Sequence, residues 1–201
     1  DYEALYEIVK NKNIGTIKME VLRNEEPKDG FLQKVRKLAD EKNIILIFDE
    51  CTSGFRQTFG GLHKHYNVEP DIAMFGKAIG NGYAITSVIG KKEIMKNAQS
   101  TFISSTFWTE RIGPTAAIKT LEVMKKIKSW KKITNTGLKL KKEWDKLASK
   151  NNLKIKISGL AALASFSIDS KNSNKYKTYI TQEMLKNRIL DKSFASIYLL
   201  S

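Results

Sequence analysis

Residues 44–77 read IILIFDECTSGFRQTFGGLHKHYNVEPDIAMFGK and contain two short apolar runs, each followed by a charged residue. The first run, residues 44–48, leads into Asp49, and the second, residues 72–75, is followed after one glycine by Lys77. Runs of this length that are rich in β-branched and aromatic residues are typical of strands buried on both faces of a parallel sheet. Because open α/β sheets bind ligands at the carboxyl ends of their strands, an acid and an amine at these positions predict a functional site.

The composition is that of a globular protein. The chain has 201 residues, of which 41% are hydrophobic and 9% aromatic, enough for one domain or a domain and a half. No apolar stretch approaches the ~20 residues that span a bilayer, and the first residues lack the layout of a secretory signal. Cys51 is the one cysteine, which excludes an internal disulfide and fits a reducing compartment. We therefore expect a cytoplasmic protein without membrane association.

The net charge of +14 raises the possibility of a nucleic-acid partner. The lysines are spread through predicted helices such as residues 124–150, where Glu143 and Asp145 lie among them. Few aromatic residues alternate with the basic ones, as a base-stacking surface would require. We therefore rank polyanion binding, which would weaken steeply with salt, last among the candidate functions.

The order of predicted elements indicates an α/β fold. A strand over residues 14–21, a helix over 31–42 and the strand over 44–48 form a βαβ unit. The strand over 72–75 follows, and residues 85–89 are predicted to return as an antiparallel strand. The further predicted elements are helices over residues 1–12, 113–129, 131–150 and around 179–188, and strands over 153–157 and 163–168.

The spaced pattern around the two strand ends resembles that of the class III aminotransferases, which are pyridoxal-phosphate enzymes of fold type I. Within the family it is most similar to the branch of glutamate-1-semialdehyde aminomutase and related aminotransferases. The resemblance implies an incomplete large domain with a mostly parallel sheet over residues 1–130, and a linking helix with part of a small α+β domain over residues 131–201. The matching residues are Asp49, Glu50, Gly54, Phe55, Arg56, Gly60, Pro70, Asp71, Ile72, Gly76, Lys77, Gly80 and Gly82.

The resemblance implies two central roles. Lys77 would form the Schiff base with the aldehyde of pyridoxal phosphate, and its freed amine would then move the proton between the substrate Cα and the cofactor carbon. A lysine suits this work because its pKa falls readily in a desolvated site. Asp49 would pair with the pyridine nitrogen and keep it protonated, so that the ring accepts the electrons of the carbanion.

Three further cofactor-binding residues follow from the resemblance. Thr106 lies where the family has a threonine that donates to the cofactor phosphate of the neighbouring subunit. Asn24 lies where relatives have an asparagine near the ring hydroxyl, although Val21 stands in place of the usual proline. Cys51 replaces a valine that packs under the ring, and we interpret it as a small buried hydrophobe rather than a nucleophile.

The two histidines, His63 and His65, do not predict a metal site, because two ligands without a third bind a metal poorly. We expect no metal, and we interpret both histidines as surface or subunit-contact residues.

The leading hypothesis is an aminotransferase that uses a small-molecule amino donor and a keto or aldehyde acceptor, working as a homodimer. An aminomutase that needs no external acceptor is an alternative. A catalytically silent fragment that acts in assembly is another, because we find no counterpart of the family's phosphate loop and ring-stacking aromatic residue before Asn24. The sequence does not separate these hypotheses.

Overall fold

The structure is a computed structural model that describes residues 1–104, 106–107 and 109–189. Its contacts divide the chain into two units. Among the described residues, no helix combines the length and apolar character that crossing a membrane requires.

The first unit comprises Asp1–Leu22 and Pro27–Ile127 and is built on a four-stranded sheet. The strands follow the order β1-β2-β3-β4, in which β1, β2 and β3 are parallel and β4 is antiparallel to β3. The predicted βαβ unit and antiparallel return are both confirmed. The elements are α1 (Tyr2–Asn11), β1 (Thr16–Glu20), α2 (Phe31–Glu41), β2 (Ile45–Asp49), β3 (Ile72–Phe75), β4 (Ser87–Gly90), α3 (Lys92–Met95) and α4 (Ile112–Ile127), with 3-10 turns at Leu62–Tyr66, Lys77–Ile79 and Lys96–Ser100.

The two faces of β2 differ in burial. Leu46 and Phe48 are fully buried, whereas Ile45 and Ile47 on the other face are half-buried. The expectation that this strand is buried on both faces is therefore wrong for the described residues. The physical reason is that the packing helix α2 contacts β2 with its own buried stripe, which covers one face. Each fully buried leucine or phenylalanine on that face contributes about 1.5–3 kcal/mol.

Asp71, at the start of β3, joins four elements of the first unit. Its buried carboxylate accepts a hydrogen bond from Leu46 N (2.7 Å), and it forms ion pairs with Arg36 of α2 (2.9 Å) and Lys91 after β4 (2.7 Å). Burial raises the pKa of Asp71, but these hydrogen bonds outweigh it, so the pKa lies below its ordinary value. This acid therefore has a structural role, since its partners surround it.

Glu50 holds the loop that follows β2. Its fully buried carboxylate accepts hydrogen bonds from the Ser53 hydroxyl and from both the backbone N and the ring Nδ1 of His63, each of the latter at 2.9 Å. His63 is only 4% exposed and its ring lies 6.1 Å from that of Phe48. The interpretation of His63 as a surface or subunit-contact residue is therefore wrong, because it is the partner of a buried acid, while His65 is exposed.

The second unit comprises Arg23–Glu26 and the chain from Lys128 onward. Helix α5 (Ser129–Lys150) packs against a two-stranded antiparallel sheet, with the Trp144 and Phe166 rings 4.9 Å apart. Its predicted helices and strands are confirmed, while residues 190–201 of the predicted small domain lie outside the described residues. The elements are α5 (Ser129–Lys150), β5 (Ile155–Ser158), a 3-10 turn at Ala161–Leu163, β6 (Ser165–Ile168) and α6 (Ser173–Lys186).

Gly137 permits the close approach of α5 to the turn that precedes β6. A Cβ atom at this position would lie 1.7 Å from the carbonyl oxygen of Ala161 and 2.4 Å from its carbonyl carbon. Both atoms belong to the backbone, so no side-chain rotation can relieve the clash.

We expect Glu50→Gln to lower the free energy of unfolding by about 1–3 kcal/mol at pH 7, because it weakens a buried hydrogen-bonded carboxylate. Burial raises the pKa of Glu50, but hydrogen bonds from His63 and Ser53 outweigh it and hold the pKa below the ordinary 4.5. The stabilisation is therefore complete above about pH 4.5 and is lost as the pH falls through the lower folded-state pKa. Urea unfolding at several pH values measures this. The exposed Glu41→Gln is the control, and a difference from wild type that widens on acidification would contradict the account.

We expect Gly137→Ala to destabilise the second unit by about 1–3 kcal/mol, because overpacking against a fixed backbone exceeds the gain in helix propensity of about 1 kcal/mol. Urea unfolding followed by tryptophan fluorescence measures the change, because two of the three tryptophans, Trp130 and Trp144, lie in α5. Gly15→Ala is the matched control, since a Cβ there meets nothing within 4 Å. A variant as stable as wild type would show that α5 and the turn can separate at no cost.

Candidate functional site

The site lies where β2 and β3 end. These strands are parallel and in a register that pairs Phe48 with Ala73 and Asp49 with Met74. Their carboxyl ends therefore meet at the same edge of the sheet, about 4.8 Å apart. Asp49 is the last residue of β2, and Lys77 follows β3 after Gly76.

Asp49 is engaged through both of its carboxylate oxygens. Oδ2 forms an ion pair with Lys18 Nζ of β1 at 3.0 Å, and Oδ1 accepts a hydrogen bond from Cys51 N at 3.2 Å. The Lys18 hydrogen bond, helped by that from Cys51, outweighs the effect of burial and holds the pKa of Asp49 below its ordinary value. The side chain stays 25% exposed, so Asp49 is an ionised carboxylate that a ligand can reach.

Lys77 presents an exposed amine beside the loop that follows β2. Its Nζ donates a hydrogen bond of 2.6 Å to the Thr52 hydroxyl oxygen. Its backbone has φ of +46°, a left-handed conformation that is uncommon for a residue other than glycine. Such strained residues cluster at functional sites, where the surrounding structure holds them. Here the Lys77 carbonyl accepts hydrogen bonds from Gly80 N (3.1 Å) and Asn81 N (3.0 Å).

Cys51 lies among these groups as a half-buried thiol. Burial, followed by its hydrogen bond with Asp49, raises the pKa of Cys51, whereas the charges of Lys77 and Lys18 lower it to a smaller extent. The thiol is therefore protonated at neutral pH. This agrees with its interpretation as a small hydrophobe, and the electrostatic interactions place it near both Asp49 and Lys77.

The other two predicted residues lie elsewhere. Thr106 is exposed in a turn before α4, and no described contact joins it to Asp49 or Lys77. Asn24 belongs to the second unit, where its carbonyl oxygen accepts a hydrogen bond of 3.0 Å from Gly159 N. The cofactor roles of both residues remain predictions.

Thr52 and Lys18 are two residues of the site that were not predicted from the sequence. Thr52 lies inside the quoted stretch, three residues after Asp49, but a threonine in a loop carries no signal of its own. Lys18 alternates with apolar neighbours in β1, and the register places it opposite Ile47, on the face that carries Asp49. The register of β1 and β2 is the information that would have identified Lys18 as a neighbour of Asp49.

No group of three or more His, Cys, Asp or Glu side chains within the described part of the chain is arranged to hold a metal ion. An apolar cavity of about 370 Å³ lies within the second unit. Asn151 is its one polar lining residue, so the cavity does not suit an anionic ligand. Its lining includes Trp144, Leu147, Phe166, Ile168, Ile180 and Met184.

Comparison with known proteins gives related sequences. The 3-aminobutyryl-CoA aminotransferase of Cloacimonas acidaminovorans is 36% identical over 157 residues, which is 78% of this chain and 38% of that protein. The glutamate-1-semialdehyde 2,1-aminomutase of Nitrosopumilus maritimus is 34% identical over 180 residues, which is 85% of this chain and 42% of that protein. The chain thus spans about two fifths of the length of these curated relatives.

Solved structures show the same fold. The acetylornithine aminotransferase of Elizabethkingia anophelis superposes with a TM-score of 0.86 at 23% identity, over 100% of this chain and 54% of that one. The FumI protein of Sphingopyxis sp. MTA144, in its PLP internal aldimine form, gives a TM-score of 0.87 at 22% identity. The superposition covers 98% of this chain and 50% of that one. The predicted fold class, part of a fold type I structure, is confirmed.

A family model described as aminotransferase class-III matches residues 22–195, most of the sequence and both strand ends. The chain belongs to the class III aminotransferase family.

Proposed function

We propose that this chain carries the cofactor-binding lysine and the ring-binding aspartate of a pyridoxal-phosphate-dependent aminotransferase. The observation that carries the proposal is the placement of Lys77 and Asp49 at adjacent carboxyl ends of parallel strands, in a chain of this family. The amino donor and the keto or aldehyde acceptor are small molecules.

The residues present fit pyridoxal phosphate. An aldehyde needs an accessible amine, and Lys77 is exposed with its Nζ held by the Thr52 hydroxyl. A pyridinium nitrogen needs a carboxylate that stays ionised, and the lowered pKa of Asp49 provides one. The thiol of Cys51, protonated and half-buried, supplies a small apolar contact between the two.

The bound cofactor supplies an aldehyde that condenses with amines and a pyridinium ring that accepts an electron pair. The negative charge of Asp49 would keep the ring nitrogen protonated. Lys77 would hold the cofactor through its amine, and the same amine, once released, would take and return the proton at the substrate Cα. Thr52 positions that amine by accepting its hydrogen bond.

The division of the chain into two units supports the two-domain proposal. We assign the first unit to the cofactor-binding large domain, because it contains the sheet, Asp49 and Lys77. We assign the second to the linking helix α5 and the small α+β domain. The role of Asn24 near the ring hydroxyl rests on the family resemblance alone.

The segment around Thr106 supports a homodimer. Phe102 is 97% exposed, and Ile103, Phe107 and Ile112 are also more than half exposed. Groups of exposed apolar residues mark protein interaction sites. We propose that these four residues, the apolar segment, contact a second copy of the chain and that Thr106 donates to the cofactor phosphate of that copy.

We expect titration of the chain with pyridoxal phosphate to give a yellow absorption band that Lys77→Ala and Lys77→Arg both abolish. Alanine removes the amine, whereas arginine keeps the positive charge without a nucleophilic nitrogen. Absorbance and equilibrium dialysis measure binding, and the exposed Lys92→Ala is the control.

Equal bands in wild type and both Lys77 variants would contradict the proposal, because the cofactor would then label surface lysines. Absence of binding in all proteins would favour the silent fragment.

We expect Phe102→Asp to shift the chain from dimer to monomer and to weaken cofactor binding severalfold, because it places a charge in the apolar segment. Light scattering gives the mass, and dialysis gives the affinity. Tyr179→Asp, at an exposed aromatic residue of α6, is the control. A wild-type chain that is monomeric at high concentration would contradict the dimer.

An aminomutase is the second candidate, favoured by the identity of 34% to the Nitrosopumilus maritimus aminomutase. The same lysine and aspartate serve both reactions. Release of a keto acid from an added amino donor would support aminotransfer, whereas isomerisation of one substrate without a second would support the aminomutase.

A further inference from the structure

Lys18 already occupies the carboxylate that the cofactor would use. Its Nζ lies 3.0 Å from Asp49 Oδ2, while Oδ1 accepts the hydrogen bond from Cys51 N. Both oxygens of Asp49 are therefore engaged by groups of the chain itself.

The strand register explains this contact. Parallel pairing places Lys18 opposite Ile47 and Glu20 opposite Asp49. Paired residues, and residues two apart along a strand, share a face of the sheet. Lys18 is therefore the diagonal cross-strand neighbour of Asp49. Both lie on the face of the sheet where Ile45 and Ile47 are only half-buried.

We infer that Lys18 competes with the ring nitrogen of pyridoxal phosphate for Asp49 and so weakens the affinity of this site for the cofactor. The inference rests on the proposed function. A pyridinium N–H and Lys18 would share the single negative charge of Asp49, and an ammonium beside a pyridinium repels it. Removing Lys18 would leave that charge to the cationic ring.

The size of the effect follows from the exposure of the pair. The Lys18 side chain is 53% exposed, and exposed ion pairs are worth roughly 0.2–1 kcal/mol. By the relation between free energy and affinity, this corresponds to a change of up to about fivefold in the dissociation constant.

The competing idea is that Lys18 attracts the anionic cofactor and strengthens binding. It predicts a change of opposite sign, so a single variant separates the two. Methionine is the substitution of choice, because it keeps most of the apolar stem of lysine and removes the charge.

We expect Lys18→Met to bind pyridoxal phosphate about two- to fivefold more tightly than wild type, measured by equilibrium dialysis. In the Asp49→Asn background, Lys18→Met should have no such effect, since the contested carboxylate is gone. Lys37→Met is the control, because Lys37 forms an exposed ion pair with Glu41 (3.8 Å) on α2.

Unchanged or weaker binding by Lys18→Met, or equal tightening in the Asp49→Asn background, would overturn the inference while leaving the proposed function intact. If neither wild type nor Lys18→Met binds the cofactor at Lys77, the proposed function fails and the inference fails with it.

Discussion

The parallel pairing of β2 with β3 is the constraint on which the site depends. Because Asp49 is in register with Met74, the acid at the end of one strand and the lysine beyond the next lie at one edge of the sheet. A slip of one residue would turn every side chain of β3 to the opposite face of the sheet. The buried Ala73 and Phe75 would then lie on the half-buried face. The register that buries the core therefore also assembles the chemistry.

Three acids of the quoted stretch have different roles, and their surroundings separate them. Glu50 is fully buried among Ser53 and His63, and Asp71 is held by Arg36 and Lys91. These two stabilise the loop and the sheet that present Asp49, which alone of the three keeps a quarter of its side chain exposed. Hydrogen bonds hold the pKa of all three carboxyls below their ordinary values, so access to a ligand distinguishes them.

Local patterns predicted the strands, every helix except the short α3, and the placement of Asp49 and Lys77 at the ends of two strands. They could not predict features that depend on distant contacts. His63 is buried because it reaches Glu50, thirteen residues earlier, and no property of a histidine in a glycine-rich loop indicates that. Likewise Glu25 forms an ion pair of 2.6 Å with Lys156, which is 131 residues away in the sequence. No local pattern indicates that these two segments belong to the same unit. The Lys18–Asp49 contact required the register of two strands.

Lys77 differs from the other lysines of this basic chain in its surroundings, because the fold holds its amine beside the Thr52 hydroxyl and near Cys51. The most direct test is peptide mapping by mass spectrometry after the chain is incubated with substoichiometric pyridoxal phosphate and reduced with borohydride. We expect the modification to concentrate on the peptide that contains Lys77. Modification distributed over exposed lysines in proportion to their accessibility would contradict it.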